Sequence, residues 1–182
     1  MANRTRDITY FYPTPESTGY PPNLADARFS ILSDLSFKSV LDVGSGPCAL
    51  HDWLKAHDYN GKYEAVDIRA DSLALCDCPT YSEIPARKKY DLICLFGTVT
   101  YNIGENHQLN KNILLDLLTK AKAKAKKYIV FTVIKAETLK GLSALQLVGY
   151  SRNEVEDLAS SLGSFTVIDD VDPDEYMVVV TV

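Results

Sequence analysis

Val40-Leu41-Asp42-Val43-Gly44-Ser45-Gly46-Pro47-Cys48-Ala49-Leu50 reads as a buried strand that runs into a glycine turn and then a helix. In a parallel sheet the carboxyl end of such a strand faces the ligand crevice, and Gly44 and Gly46 let the backbone come closer to a ligand than a side-chain-bearing residue would. Asp42, two positions before the first glycine, sets this turn apart from a generic nucleotide loop, because a carboxylate there suits a cationic ligand.

A second strand begins at Lys62 and ends in Asp67, 25 positions after Asp42, where a carboxylate is placed to accept hydrogen bonds from ribose hydroxyls. A third segment of the same grammar is Tyr90-Asp91-Leu92-Ile93-Cys94-Leu95-Phe96. On Leu41 to Gly46, on Ala65-Val66-Asp67-Ile68 and on this third strand, the sequence resembles the class I S-adenosylmethionine-dependent methyltransferases over about residues 23 to 182. The resemblance implies S-adenosylmethionine as cofactor and S-adenosylhomocysteine as product. Gly44, Ser45 and Gly46 would pass under the methionine part, Asp42 would lie near its ammonium, and Asp67 would hold both ribose hydroxyls. A short strand Leu73 to Cys76, ending in Asp77 and Cys78, would supply the acid beside the adenine amino group, with Ile68 on one adenine face. Phe96 and Gly97 would border the sulfonium and the acceptor. Two departures stand out: Cys48 occupies the place of a third glycine, and Pro47 removes a backbone donor from the loop.

Alternation of strands and helices after residue 22 predicts one open, doubly wound α/β sheet, mostly parallel and seven-stranded, with an antiparallel C-terminal strand. Only nine residues separate Asp67 from Asp77, too few for a full crossover helix, so the connection after the second strand is expected to be shortened. Helices are expected from Asn23 as cap, over Ala49 to Ala56, over Leu109 to Lys126, and from Ser151, where Ser151-Arg152-Asn153-Glu154 fits a capping box. Phe165 to Asp169 and Tyr176 to Val182 are joined closely enough for a hairpin, which a dehydrogenase sheet generally lacks. The relaxed dinucleotide pattern Gly44-x-Gly46-x-x-Ala49 is therefore the weaker reading.

Residues 1 to 22 form a separate segment in which five residues from Pro13, Pro15 and Gly19 to Pro21 and Pro22 interleave with Tyr10, Phe11, Tyr12 and Tyr20. Proline forbids a regular helix there, and the aromatics suit a lid over cofactor or substrate, with static packing or a disordered tail as the alternatives.

A chain of 182 residues, 46% apolar, can bury about 70% of its unfolded surface, which allows one stable core and no second substrate domain. The net charge of −5 argues against a strongly electrostatic nucleic-acid binder. Lys120, Lys122, Lys124, Lys126 and Lys127 would spread around a helix rather than form a patch. Cys48, Cys76, Cys78 and Cys94 lack the paired spacing of a zinc site and are expected to be free thiols, with no metal bound. No run resembles a signal peptide or a membrane span, so a cytoplasmic location is the default expectation.

Methyl transfer asks mainly for alignment and exclusion of water. Thr98, Thr100, Tyr101, Asn102, Glu105 and His107 follow the third strand and face the crevice. Tyr101 and His107 are the candidate catalytic residues, Tyr101 as a wall of the acceptor pocket and His107 as a base or a surface cap. Phe96-Gly97-Thr98-Val99 stands where DNA amino-methyltransferases carry Asn/Asp-Pro-Pro-Tyr/Phe. The acceptor is expected to be a small molecule; nucleic-acid or protein acceptors, and a silent cofactor-binding subunit, stay open as alternatives, as does the oligomeric state.

Overall fold

The computed structural model describes residues 22–104, 106–140 and 146–182. The aromatic segment with Tyr10, Tyr12 and Tyr20 lies outside them. In chain order the elements are α1 (Pro22–Phe29), β1 (Ser39–Val43), α2 (Ala49–Ala56), β2 (Lys62–Val66), α3 (Ala70–Leu73), β3 (Thr80–Tyr81), β4 (Tyr90–Leu95) and α4 (His107–Lys124). There follow β5 (Ala125–Lys135), β6 (Gly149–Tyr150), α5 (Arg152–Ser160), β7 (Ser164–Asp172) and β8 (Glu175–Thr181), with short 3₁₀ turns at Ser30–Asp34 and Ala136–Thr138.

The strands form one sheet in the order β3-β2-β1-β4-β5-β8-β7. All pairs from β3 to β5 are parallel, while β8 runs antiparallel to both β5 and β7. Seven strands were expected; an eighth, the two-residue β6, pairs with Ile134 and Lys135 at the end of β5. Two residues without an alternating pattern carry no strand signal in the sequence.

Central strands are apolar on both faces because both faces are covered. Leu41 and Val43 of β1, Ile93 and Leu95 of β4 and Phe131 of β5 pack with Leu114 and Leu118 of α4 and Val155 and Leu158 of α5. Val40, Leu92, Cys94 and Val130 point the other way, onto Phe29 of α1 and Leu50 and Leu54 of α2. Thus α2 and α4, which follow the adjacent strands β1 and β4, lie on opposite faces.

Several local expectations shift. Helix α1 starts at Pro22, whose missing N–H costs nothing in a first turn, so Asn23 is not its cap. Helix α4 is capped by the Asn106 side chain, which accepts from Leu109 N, and it gives way to β5 at Ala125; Lys126 and Lys127 are therefore strand residues. The Leu73 to Cys76 strand is a correction: α3 is a single helical turn ending at Leu73, and the strand comes later, at Thr80–Tyr81. The shortened crossover and the Ser151/Glu154 capping box are present as expected.

Buried Asn110 holds the segment between β4 and α4 by accepting from Gly104 N at 2.8 Å and donating to Asn102 Oδ1 and the Asn106 carbonyl. Beneath the carboxyl ends of the strands, Arg28 Nη2 reaches Asp172 Oδ2 at 2.9 Å and Glu175 Oε1 at 2.8 Å, all three side chains being at least nine-tenths buried. This ties α1 to the hairpin across more than 140 residues of chain. Removing the cation leaves two carboxylates buried together, so Arg28→Ala is expected to cost about 3–5 kcal/mol in urea denaturation. A loss below about 1 kcal/mol, the range of an exposed pair, would show that the cluster is solvated.

Candidate functional site

Two hollows open at opposite ends of the sheet. One, of about 990 Å³, lies at the amino ends of the strands between Phe37, Tyr59, Trp53 and several lysines. The other, of about 890 Å³, lies at the carboxyl ends and is lined by Gly44, Gly46, Asp67, Ile68, Phe96, Gly97 and Tyr101, among others. Despite its smaller volume the second is the candidate site, because it sits where α2 and α4 leave β1 and β4 for opposite faces, the place where open sheets bind ligands.

Its floor is the turn after β1. Gly44 has φ +75°, and a Cβ there would lie 2.5 Å from Thr98 Cγ2, so only glycine fits. Thr98 Oγ1 in turn donates to the Val43 carbonyl at 2.6 Å, binding the segment after β4 to the end of β1. Gly44 N and Ser45 N both donate to the Val66 carbonyl, fastening the turn to β2. Asp67 Oδ2 accepts from Gly46 N and Oδ1 from Arg69 N, each at 2.8 Å. Each carboxylate oxygen keeps a second lone pair for a ligand. Ile68, beside it, is 71% exposed at the rim.

The far wall comes from the segment after β3, with Ser82, Glu83 and Ile84, and from Ile113 and Leu117 of α4. Tyr101 lines the cavity and is held by a bridge to Leu147. Gly97 N donates to Thr132 Oγ1 at 2.9 Å, and Glu175, at the start of β8, closes that end. The Glu175 Oε2 atom is buried, and its carboxyl is held above the usual range by burial, with Arg28 opposing, Asp172 adding to the rise and a hydrogen bond from Thr132 lowering it.

Four sequence expectations are relocated. Asp42 is buried and faces the α1/α2 side, where Tyr63 Oη donates to its Oδ2 at 2.5 Å; it does not line the cavity. Asp77 does not line it either: its side chain is 97% exposed and pairs with Lys55, since the strand expected to carry it is a turn. Cys78 packs in the α1/α2 layer, beside Cys48. His107 begins α4 outside the cavity and meets Glu154 Oε1 at 2.8 Å. Burial alone would raise the Glu154 pKa, but hydrogen bonds from His107 and Ser151 outweigh it and bring it to about 2. The free-thiol expectation is also corrected, because Cys48 and Cys76 form a disulfide and only Cys78 and Cys94 are free among the described residues.

Glu83, Glu175, Thr132 and Tyr63 escaped sequence reasoning. Glu83 follows a strand too short to announce itself, and Glu175 opens an antiparallel strand whose partner Arg28 is remote in sequence.

No family model matches the chain, and no curated protein matches it by sequence. Solved structures match it by shape. The plantazolicin methyltransferase BpumL, solved with a desmethyl-plantazolicin analogue and S-adenosylhomocysteine, has a TM-score of 0.69 at 9% identity over 96% of this chain and 93% of that one. A candidate O-methyltransferase from Nostoc punctiforme gives 0.67 at 16% identity, covering 88% of this chain and 56% of that one. The pyocyanin biosynthetic protein PhzM gives 0.63 at 19%, covering 87% and 54%. The chain thus spans little more than half of the last two, and it has the class I methyltransferase-like fold.

Burial pushes the Asp42 carboxyl up to about 7, against the hydrogen bond from Tyr63 and helped by the charge of Asp67. The folded protein then holds a proton that the unfolded chain releases near pH 4, so this group's contribution to stability falls as pH rises between the two, by up to about 1.4 kcal/mol per unit. Asp42→Asn is neutral throughout and is expected to gain stability relative to the parent from about pH 4.5 to about pH 7.5. Urea denaturation at both pH values measures this; a difference that does not change with pH would contradict it.

Proposed function

We propose that this chain is an S-adenosylmethionine-dependent methyltransferase acting on a small-molecule acceptor. The observation that carries the reading is the meeting, in one cavity at the β1/β4 switch point, of a glycine turn, a strand-end carboxylate with free lone pairs and an exposed isoleucine. These residues fit the cofactor. Gly44 and Gly46 would admit the methionine part, Asp67 the ribose hydroxyls, and Ile68 and Ile84 the adenine faces, with Glu83 in the role first given to Asp77. The buried Asp42 lies outside the cavity lining and holds Tyr63 instead.

The cofactor supplies a sulfonium-activated methyl group. The chain's part is to position the acceptor and keep water away. Phe96 and Gly97 border the reacting end and Tyr101 walls the acceptor side. Glu175, whose carboxyl is raised by burial at the edge of the cavity, is the group that would receive the acceptor's hydrogen bond or proton. BpumL and PhzM bear names that attach to natural products, and the compact cavity and acidic balance favour an acceptor of that size here.

Asp67→Ala removes two charge-assisted hydrogen bonds and should weaken S-adenosylhomocysteine by about 30-fold or more in calorimetric titration, about 2–4 kcal/mol. Unchanged affinity, or preference for NAD, would overturn the cofactor assignment. Glu175→Gln leaves Asp172 to hold Arg28 and should lower turnover about 100-fold with little change in cofactor affinity. The acidic limb of the pH–rate profile, which the raised carboxyl places above the ordinary glutamate range, should disappear in the variant. An identical profile in both proteins would remove Glu175 from the mechanism.

A further inference from the structure

Three cysteine sulfurs meet in the layer between the sheet and α2, outside the cavity. Cys48 stands at the amino end of α2, in the left-handed region at φ 64°, and Cys76 and Cys78 lie in the turn between α3 and β3. All three sulfurs are within 4.8 Å of one another. Cys48 and Cys76 are bonded, and the Cys78 thiol lies 3.8 Å from Cys48 Sγ. The methyl-transfer reading uses none of them.

We propose that, when the Cys48–Cys76 disulfide is reduced, Cys48, Cys76 and Cys78 together bind one Zn²⁺ ion, with the fourth position left to solvent. Tetrahedral zinc with bonds of about 2.3 Å requires its sulfurs about 3.8 Å apart, and Cys48 and Cys78 already stand at that separation. Breaking the disulfide frees Cys76 to move off from Cys48 to ordinary sulfur contact, which is the same spacing. The ligand set is all soft sulfur, which selects zinc or copper(I) over the oxygen-seeking magnesium and calcium. Cys48 is fully buried while Cys76 and Cys78 are partly exposed, so an ion can enter from the Cys76-Cys78 side and keep a water there. Asp77, between them, points into solvent and leaves both sulfurs turned toward Cys48.

Disulfide and metal use the same sulfurs and exclude each other. A phosphine reductant takes up the oxygen of one water, becoming its oxide, and the two hydrogens of that water leave Cys48 and Cys76 as thiols. Zinc then replaces the three thiol protons, which pass to the buffer. Either link ties the glycine turn to the β2–β3 connection, since Cys76 Sγ lies 3.6 Å from the Gly46 carbonyl. The site stands independently of the methyltransferase reading.

The test uses the full chain, once oxidised and once reduced by a phosphine without air, titrated with Zn²⁺ against a chromophoric chelator and with Co²⁺ as a spectroscopic probe. One ion per reduced chain and none per oxidised chain is expected, with a thiolate-to-cobalt charge-transfer band. Cys78→Ser, which keeps the disulfide pair, should lose more affinity than the roughly 10- to 100-fold that an outer-shell partner is worth. In the unaltered protein, zinc should protect Cys48, Cys76 and Cys78 from alkylation in mass spectra and leave Cys94 unchanged. No uptake by the reduced chain, affinity indifferent to Cys78→Ser in a folded variant, or protection of other cysteines would each overturn the site. In a parallel anaerobic titration, copper(I) bound by the reduced chain with zinc not bound would overturn the choice of ion.

Discussion

Everything at the carboxyl end of the sheet depends on the contact between Gly44 and Thr98. The backbone after β1 lies so close to the segment after β4 that a single methyl group between them would collide, and Thr98 holds the approach by donating to the carbonyl of Val43. Because α2 and α4 leave these adjacent strands for opposite faces, a crevice must open above the contact, and the two strand ends become its floor. The turn is then fastened to β2 through the Val66 carbonyl and to Asp67 through Gly46 N, so one close approach fixes three strand ends relative to each other. A ligand meets a preformed surface, which lowers the ordering cost of binding.

Two buried acids serve this frame differently. Asp42 is sealed beneath the turn with Tyr63, and its raised pKa reports removal from water rather than contact with a ligand. Glu175 lines the cavity, is held by Arg28 and Thr132, and keeps its Oε2 atom buried. A carboxyl buried this deeply depends on such hydrogen bonds and charges for its stability. In the same way the lysines that crowd α4 and the start of β5 are used singly: Lys120 pairs with Asp116, Lys122 reaches the Ser161 carbonyl, Lys126 meets Asp91, and Lys127 reaches the Ser36 carbonyl. They form no continuous basic face.

What could be read from the sequence was what is written locally. The β1 run, the glycine turn, Asp67 at the end of β2, the helix Ala49–Ala56, the capping box at Ser151 and the final hairpin each depend on a few neighbouring residues. The misses are non-local. Strand β3 has two residues and exists because Ala65 and Val66 pair with it, so the sequence reading set this strand at Leu73–Cys76. Arg28 and Glu175 find each other only after the sheet is assembled, and three cysteines without metal-ligand spacing converge because α3 is a single turn. His107, read from the sequence as a base or a surface cap, begins α4 outside the cavity and meets Glu154 of α5.

The central claim is that the ligand occupies the carboxyl-end cavity rather than the larger groove at the other end of the sheet. Titration of the isotope-labelled protein with S-adenosylhomocysteine, followed through backbone amide resonances, tests it directly. The account predicts shifts concentrated at Gly44, Gly46, Asp67, Ile68, Glu83 and Gly97, with Lys38, Trp53 and Gly61 of the opposite groove unmoved. Shifts confined to Lys38, Trp53 and Gly61, or none at saturating ligand, would contradict it.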